Sequence, residues 1–400
     1  MKKLTTVASS TALALILASS NALALTLYED PETHQVFTKD APGLVKIEDE
    51  HKGITVKSKA VTLKFSGKHY LGFVSSKDEG GDRKSKFETR RNYIQVKAYF
   101  NKKDFMRVTF DTFQETKATD SSKGSWLVRL KYAYLYLDNI LPNTGVEFGQ
   151  AHRPWIDYEE HHGWKYRSIA KTFIENDKGG HLMNSADLGI NFKTKTPMFS
   201  SEIGAFNGAG YHSEDDGNDL SFETRLTVHP LGTGKKKPKP QKDTYLDISY
   251  FGVKSLADNT RNNADFTMHG LHAVYNMPMF LVAAQYVTSD NENTAPSGIG
   301  SDNKYKGEGY SVNFEIRPTK KFGILGRYDE WDQGNNAVGN KGGDRKQYII
   351  GGVYHYNKNV DFIINTTTVD YDDNDPLNWS GGSLKYKDST DLMFTAEVNW

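Results

Sequence analysis

The chain has 400 residues, no cysteine, and 50 basic against 50 acidic residues. The lack of cysteine excludes disulfides and thiol chemistry, and the balanced charge gives no general attraction for nucleic acid. Mean hydropathy is −0.64, a value typical of soluble proteins. Strands of a membrane barrel hide their apolar residues by alternation, so low hydropathy does not exclude the membrane.

Residues 1–24 have the features of a cleaved secretory signal peptide. A positive start (MKK) precedes the apolar stretch TALALILASS, and Ala22 and Ala24 form an A-x-A-like cleavage site. The apolar run is too short to span a membrane comfortably. We therefore expect export and a mature chain that begins at Leu25.

Residues 25–59 show no clear period, and we assign them to an N-terminal periplasmic segment. A short plug, a linker and a partner-binding arm remain open for this segment.

Residues 60–400 alternate apolar and polar residues in about sixteen segments, most of them about ten residues long, as a tilted strand that spans a membrane requires. The expected starts are Val61, Phe87, Phe105, Trp126, Thr144, Ser185, Phe199, Leu220, Tyr245, Asp265, Phe280, Gly307, Lys321, Arg345, Val360 and Asp388.

The connections between these segments alternate in length. Short turns such as 101–104, 276–279, 318–320 and 357–359 separate long polar loops such as SSKDEGGDRKSK. Outer-membrane barrels have short periplasmic turns and long external loops. The pattern predicts an all-β protein, a transmembrane antiparallel β-barrel of about 16 strands in the bacterial outer membrane, and disfavours a soluble β-sandwich.

One connection on the short side is long. Residues 231–243 (LGTGKKKPKPQKD) are rich in lysine and proline, which favours an extended, mobile and solvated insertion. Contact with a periplasmic partner is the alternative.

The last ten residues, DLMFTAEVNW, place apolar side chains on one face and polar ones on the other. This pattern is typical of the strand that closes an outer-membrane barrel. The terminal aromatic residue is Trp400, where such strands usually end in phenylalanine.

Alternation also predicts which residues face the lumen. We expect a polar, wetted interior, because a lysine or arginine at the lipid midplane costs about 2–4 kcal/mol. Val128, Leu130 and Tyr132 are expected to face lipid and Arg129 and Lys131 the lumen. The expected inner charges are mixed, so alternation alone leaves the ion preference open. They are Lys97, Arg107, Arg129, Lys131, Lys193, Arg225, Arg317 and Arg327 against Asp111, Glu147, Asp187, Glu223, Glu315, Asp329 and Glu397.

Residues 151–184 form a connection much longer than its neighbours, and it is rich in basic and aromatic residues. In sixteen-stranded porins the loop after the fifth strand commonly folds inward and narrows the pore. We expect the same here, so that the loop's basic residues act as a filter. A solvent-exposed loop without a specific role is the alternative.

Several short motifs carry a family resemblance. They are the G-Q at 149–150 followed by Arg153 and Pro154, the F-x-E at 173–175, the L-G-I at 188–190, the G-x-F-N-G at 204–208, the R-R-x-x-I-Q-V at 90–96 and the K-Y-A-Y-L at 131–135. In these motifs the chain resembles the phosphate-selective porin O and P family.

This resemblance implies a trimeric, sixteen-stranded porin whose pore prefers anions. In phosphate-specific members, arginines form a ladder and lysines ring the constriction. The histidines and carboxylates of residues 151–184 depart from a purely cationic constriction. This departure counts against specificity for phosphate.

Other chemistry has weaker support. His161 and His162 beside Glu159 and Glu160 are adjacent loop residues, which rarely give a tetrahedral metal site, so we expect no metal and no cofactor. The DDNDPLN stretch at 372–378 has oxygen ligands but lacks the spacing of a calcium loop. No nucleophile and base stand at a spacing that indicates catalysis, and we assign no catalytic residue.

We therefore expect a porin for passive diffusion of small hydrophilic solutes, with small inorganic or organic anions such as phosphate as the permeant solutes. We expect outer-membrane lipids to surround it and the assembly to be a homotrimer. An outer-membrane barrel enzyme of the lipase or protease type and a transporter for a specific organic substrate are the alternatives. The candidate pore and constriction residues are Arg153, Lys165, Arg167, Lys171, Arg107, Arg129, Lys131, Arg225 and Arg327.

Overall fold

The computed structural model describes residues 28–29, 36–37, 42, 45–46, 55–57, 61–116, 118–208, 210–211, 220–235, 237–256, 265–292, 304–333, 343–372, 379–380, 383–384 and 386–400. The predicted signal peptide and its cleavage site lie outside these residues, as do residues 373–378 of the DDNDPLN stretch. Residues 1–52 and 53–400 form two compact units. In the first, Tyr28–Glu29 pairs with Val36–Phe37 and with Val45–Lys46 in a small antiparallel sheet.

The second unit contains a closed barrel of sixteen antiparallel strands, in which each strand pairs with its neighbours in the chain and the last pairs with the first. The strands are β1 (Thr62–Asp78), β2 (Lys84–Tyr99), β3 (Phe105–Gln114), β4 (Trp126–Leu141), β5 (Thr144–His152), β6 (Ala186–Lys195), β7 (Phe199–Phe206), β8 (Leu220–Val228), β9 (Tyr245–Leu256), β10 (Asp265–Met277), β11 (Phe280–Glu292), β12 (Lys304–Ile316), β13 (Phe322–Asp332), β14 (Arg345–His355), β15 (Val360–Tyr371) and β16 (Ser389–Asn399). A short strand, Thr55–Lys57, pairs with the start of β1.

The predicted fold class is confirmed, and every strand begins within three residues of its expected start. The reason is that a strand with one face in lipid and one in the lumen must alternate over its whole length. Among the described residues, no helix combines the length and the apolar character needed to cross a membrane.

The seam between β16 and β1 shows why the chain can end on tryptophan. The backbone N–H of Trp400 donates to the Gly67 carbonyl oxygen at 3.1 Å, and the Gly67 N–H donates back to Trp400 at 2.9 Å. A Cβ atom on Gly67 would lie 2.4 Å from the Trp400 ring, so glycine provides the space for the indole. The indole Nε1–H then donates to His69 Nε2 at 3.0 Å. The terminal aromatic residue thus stabilises the closure.

Burial follows the predicted alternation along the strands. On β8, Glu223 and Arg225 are buried, whereas Leu226 and Val228 are exposed on the other face. Isolated apolar side chains such as Phe148, which is 62 % exposed, cover the outer face of the wall. The outer face is therefore the lipid face, and the charges of the strands point inward.

One predicted orientation is wrong. The pairing of β3 with β4 shifts between Thr109 and Phe110, which leaves Lys131 as an extra residue between Leu130 and Tyr132. Such a β-bulge lets two consecutive side chains face the same side. Tyr132 is consequently buried in the lumen beside Lys131, not on the lipid face.

The expected polar, wetted interior is found in only part of the barrel. The inner faces of β9, β10, β11 and β13 carry apolar side chains, which are Phe251, Val253, Met268, Val287 and Trp331. A second apolar cluster includes Leu325, Ile349, Val353 and Ile363 on β13, β14 and β15. These strands therefore carry buried apolar side chains inside the barrel, and another part of the chain shields them from water.

Candidate functional site

The connection between β5 and β6 lies inside the barrel and covers this apolar surface. It contains one short helix, α1 (Ile156–His162), preceded by Trp155. The Trp155 ring stacks on that of Phe251, with centroids 3.9 Å apart and planes 6° from parallel. Ile156 and Phe173 are completely buried in the same cluster. Hydrophobic burial therefore draws this connection, hereafter the inner loop (residues 153–185), against the inner wall.

Polar contacts fix the inner loop along its length to strands far apart in the sequence. They are Tyr158 OH to Asp247 Oδ2 at 2.7 Å, Gln285 Nε2 to Glu159 Oε1 at 2.5 Å, Lys165 Nζ to Glu315 Oε2 at 3.2 Å, Arg327 Nη1 to the Lys171 carbonyl oxygen at 2.6 Å, and Asn176 Nδ2 to Gln347 Oε1 at 2.6 Å. The partners on the wall come from five different strands, β9, β11, β12, β13 and β14.

Two carboxyl groups on the inner loop have shifted pKa values of opposite sign. Burial raises the pKa of Glu159 to about 7, and the more distant charge of Arg327 only partly opposes this. Burial also acts against ionisation of Glu175, but its contact with Arg167 outweighs burial and holds the pKa of that carboxyl well below its usual range. Glu175 is thus an ion-paired carboxylate, whereas Glu159 exchanges its proton near neutral pH.

The inner loop leaves open a cavity of about 730 Å³ on the side of β1 to β4. The wall contributes Lys68, Tyr70, Tyr93, Lys97, Arg107, Lys131 and Tyr132 together with the carboxylates Glu315, Asp361 and Glu397, and the loop contributes Asp157, Glu160, His161, Lys165 and Arg167. The cavity extends to residues at the short-turn end of the barrel, among them Asn399 and Trp400. We call this space the lumen cavity. It is polar, whereas the inner loop covers the two apolar clusters of the interior.

Three cations on the wall of the lumen cavity lie against aromatic rings. The Arg107 guanidinium is 4.4 Å from the Tyr132 ring centroid, Lys131 Nζ is 4.5 Å from that of Tyr93, and Lys97 Nζ is 4.7 Å from that of Phe105. Among the residues that the structure describes, none of these three cations forms an ion pair with a carboxylate. Aromatic faces stabilise a cation without neutralising it, so the wall keeps its positive charge.

The nine basic residues predicted from the sequence separate into two groups. Arg107, Lys131, Lys165 and Arg167 line the lumen cavity, whereas Arg129, Arg153, Lys171, Arg225 and Arg327 do not. Seven of the nine form ion pairs, which are Arg129 with Asp111, Arg153 with Glu223, Lys165 with Glu315, Arg167 with Glu160 and Glu175, Lys171 with Asp177, Arg225 with Glu202, and Arg327 with Asp329. Arg107 and Lys131 are the two candidates that both line the cavity and carry no paired carboxylate in the described part of the chain.

The structure also brings together a serine, a histidine and an aspartate that sequence spacing did not reveal. Ser200 Oγ lies 2.9 Å from His229 Nε2, and His229 Nδ1 lies 2.6 Å from Asp247 Oδ1. Spacing along the chain indicated no catalytic pair, and it does not detect contacts between neighbouring strands. The three residues lie on β7, at the end of β8 and on β9, so only the register of the barrel could have revealed them.

The surroundings of this triad are closed. Ser200 is 3 % exposed, and its hydroxyl oxygen also accepts a hydrogen bond from Arg225 Nη1 at 3.0 Å. A cavity of about 190 Å³ is lined by His229 and Asp247 but not by Ser200. A nucleophile must reach its substrate, and here the candidate nucleophile faces away from the open space.

The two histidines of α1 use their ring nitrogens within the helix. His161 Nδ1 lies 2.7 Å from the Asp157 carbonyl oxygen, and His162 Nδ1 lies 3.0 Å from that of Tyr158. In the part of the chain that the structure describes, there is no group of three or more histidine, aspartate or glutamate side chains arranged to hold a metal ion.

The sequence matches no protein-family model and no curated protein. Solved structures with the same architecture are found. An anion-selective porin from Comamonas acidovorans is 12 % identical, with a TM-score of 0.61, and the match covers 85 % of this chain and all of that one. OmpF of Salmonella typhi, in a complex with daunomycin, is 16 % identical, with a TM-score of 0.57 over 87 % of this chain and all of that one.

A third similar structure is the trimer form of OmpT, an outer membrane protein of Vibrio cholerae. It is 14 % identical, with a TM-score of 0.56 over 86 % of this chain and all of that one. At these identities the likeness is one of fold. The chain has the fold of outer-membrane porins and resides in a bacterial outer membrane, whereas the resemblance to the phosphate-selective family is not confirmed.

Proposed function

We propose that this protein is a porin, a water-filled channel for passive diffusion of small hydrophilic solutes with a preference for small anions. The supporting observation is the lumen cavity, where Lys97, Arg107 and Lys131 lie on the wall and, among the residues that the structure describes, form no ion pair with a carboxylate. Charged side chains at a narrow passage select permeant ions by sign. The acidic residues Asp157 and Glu160 on the loop side keep the passage from being purely cationic.

The nine predicted basic residues then have two roles. Arg107 and Lys131 act directly on the permeant ion, and Lys165 and Arg167 contribute where the loop narrows the passage. The other five are held by carboxylate partners and have structural roles. Arg153 joins the inner loop to the wall, Lys171 is paired within the loop, and Arg129, Arg225 and Arg327 are paired within the wall. Paired charges deep in the wall contribute little net field to the lumen, because each is opposed at contact distance.

Reversal potentials in planar lipid bilayers under a potassium chloride gradient test the proposal. We expect a stable conductance and an anion-selective potential for the parent protein. Substitution of Arg107→Glu should lower the chloride-to-potassium permeability ratio, and Arg107→Gln should lower it less. The matched control is Lys320→Glu in an exposed short turn, which should leave the ratio unchanged. A folded protein without conductance would refute the channel, and a cation-selective parent would refute the anion preference.

Phosphate as a solute and a trimeric assembly are further parts of this proposal. Replacement of chloride by phosphate in the same recordings should preserve a measurable current, since passive diffusion through a wide pore is not restricted to one anion. A current that saturates at low phosphate would instead favour a specific transporter. Conductance steps in groups of three and the mass of the detergent-solubilised complex test the trimer.

A second candidate function, hydrolysis, is favoured by the contact chain from Ser200 through His229 to Asp247. A serine nucleophile, a histidine base and an orienting aspartate have this connectivity. We assign these residues a structural role instead, because Ser200 is enclosed. A fluorophosphonate probe distinguishes the two roles: covalent labelling that Ser200→Ala abolishes would establish a hydrolase, and we expect no labelling.

A further inference from the structure

The connection between β8 and β9 is the exception among the short connections. It spans residues 229–244, whereas the other connections at that end span two to five residues. Its sequence contains lysines at 235, 236, 237, 239 and 242 and prolines at 238 and 240, and Lys236 lies outside the described residues. We call residues 231–243 the basic turn.

The basic turn is bound to the barrel and is not a free insertion, contrary to the expectation from its composition. The Pro240 carbonyl oxygen accepts hydrogen bonds from Asn276 Nδ2 at 3.0 Å and Arg317 Nη1 at 3.2 Å. Asn276 Nδ2 also donates to the Asp243 carbonyl oxygen at 2.6 Å. Asn276 is completely buried and Arg317 is 5 % exposed. Two buried side chains at the ends of β10 and β12 thus hold the backbone of the turn.

A third contact fixes the other side of the basic turn. The Gly234 N–H donates to the Pro197 carbonyl oxygen at 2.8 Å, in the connection between β6 and β7. The turn is therefore held at residues 234 and 240, one on each side of Lys237. The two prolines restrict the backbone between and beside these anchors, so Lys237 is placed by its neighbours in the chain.

The segment between the anchors lines the lumen cavity. Lys237, Pro238, Pro240 and Gln241 contribute to its surface, together with Lys68 and Lys97 of the wall. Lys237 is exposed. The described part of the chain offers Lys237 no ion-pair partner. Its charge is thus available to a solute at the short-turn end of the cavity.

We propose that the basic turn forms the periplasmic floor of the channel and that Lys237 is a second selectivity residue, which an anion meets after it passes Arg107 and Lys131. Two successive cationic positions favour elongated anions with more than one charge, such as dicarboxylates and phosphate esters, over monovalent ions. The preference for multiply charged anions rests on the anion preference proposed above. The position of the basic turn in the conduction path is independent of it.

Thiol-specific modification tests the proposal, because the chain has no cysteine of its own. Lys237→Cys is recorded in planar bilayers before and after periplasmic addition of a cationic (trimethylammonium) or an anionic (sulfonate) methanethiosulfonate reagent. We expect Lys237→Cys to lower the anion-to-cation permeability ratio roughly twofold, the effect of one unit charge at about a Debye length from the ion path. The cationic reagent should restore the ratio, and the anionic reagent should lower it further.

The matched control is Lys239→Cys, an exposed residue of the same turn outside the cavity lining. It should react with both reagents and leave the permeability ratio unchanged. An unchanged current through Lys237→Cys, with the adduct verified by mass spectrometry, would overturn the proposal, and so would equal responses at both positions. A parent channel without anion preference would refute the proposed selectivity alone, since modification at Lys237→Cys would still change the current.

Discussion

Truncation of Trp155 to alanine should release the inner loop from the wall of the barrel. The side chain is 2 % exposed and stacks face to face on Phe251. Removal of a buried tryptophan costs about 3–5 kcal/mol, which lowers the ratio of docked to undocked loop by roughly two to four powers of ten. The polar contacts farther along the loop remain, so we expect repeated partial undocking in an intact barrel.

Single-channel recording measures this release. Trp155→Ala should show larger conductance levels and more current noise than the parent protein, and trypsin should cleave the inner loop faster. Phe148→Ala is the control, because it removes an aromatic side chain that is 62 % exposed on the lipid face. Heat-dependent gel mobility verifies that both barrels are folded. Parent-like conductance, noise and cleavage in Trp155→Ala would refute the account of the loop as held by hydrophobic burial.

Two further predictions concern charges in the wall and the loop. Arg153→Ala should destabilise the barrel by about 3–5 kcal/mol, since it leaves Glu223 buried and unpaired. Thermal unfolding measures this loss, and Lys103→Ala, which removes an exposed ion pair with Asp138, should have a much smaller effect. Because the pKa of Glu159 is raised to about 7, the docked loop holds the proton more tightly than a solvated loop with an ordinary pKa. Docking should therefore be strongest below about pH 4.5 and weaken as the pH rises to about 7, by up to about 3 kcal/mol. Current noise should rise over that pH range in the parent protein and stay constant in Glu159→Gln. Noise that falls as the pH rises would contradict the expected weakening of docking.

The strands could be predicted from the sequence because their constraint is local. Each residue of a membrane strand faces lipid or lumen, and the choice repeats every second position. The prediction fails where the period breaks. Tyr132 follows the extra residue of the β-bulge in β4. A bulge is a property of the pairing between β3 and β4, so the alternation within one strand does not reveal it.

The candidate site was only partly predictable, for a related reason. Alternation places a basic residue inside the barrel but does not say which carboxylate it meets. Arg153 meets Glu223, a residue 70 positions away, and Arg327 meets Asp329 on its own strand. The contact of Ser200 with His229 depends likewise on the register between neighbouring strands. Long-range pairing determines which charges remain available, and this information emerges only with the closed barrel.

The chain as a whole carries equal numbers of basic and acidic residues, so an anion preference cannot come from its net charge. It has to come from where opposite charges are separated. The inner loop covers the apolar clusters of the interior, and its two arginines, Arg153 and Arg167, are paired with carboxylates. On the wall opposite the loop, Lys97, Arg107 and Lys131 rest on aromatic rings that hold a cation without cancelling it. These three cations carry no ion pair among the described residues, in a cavity that carboxylates such as Asp157 and Glu160 also line. We therefore expect selectivity to follow these three residues and Lys237 more closely than the larger number of arginines buried in pairs.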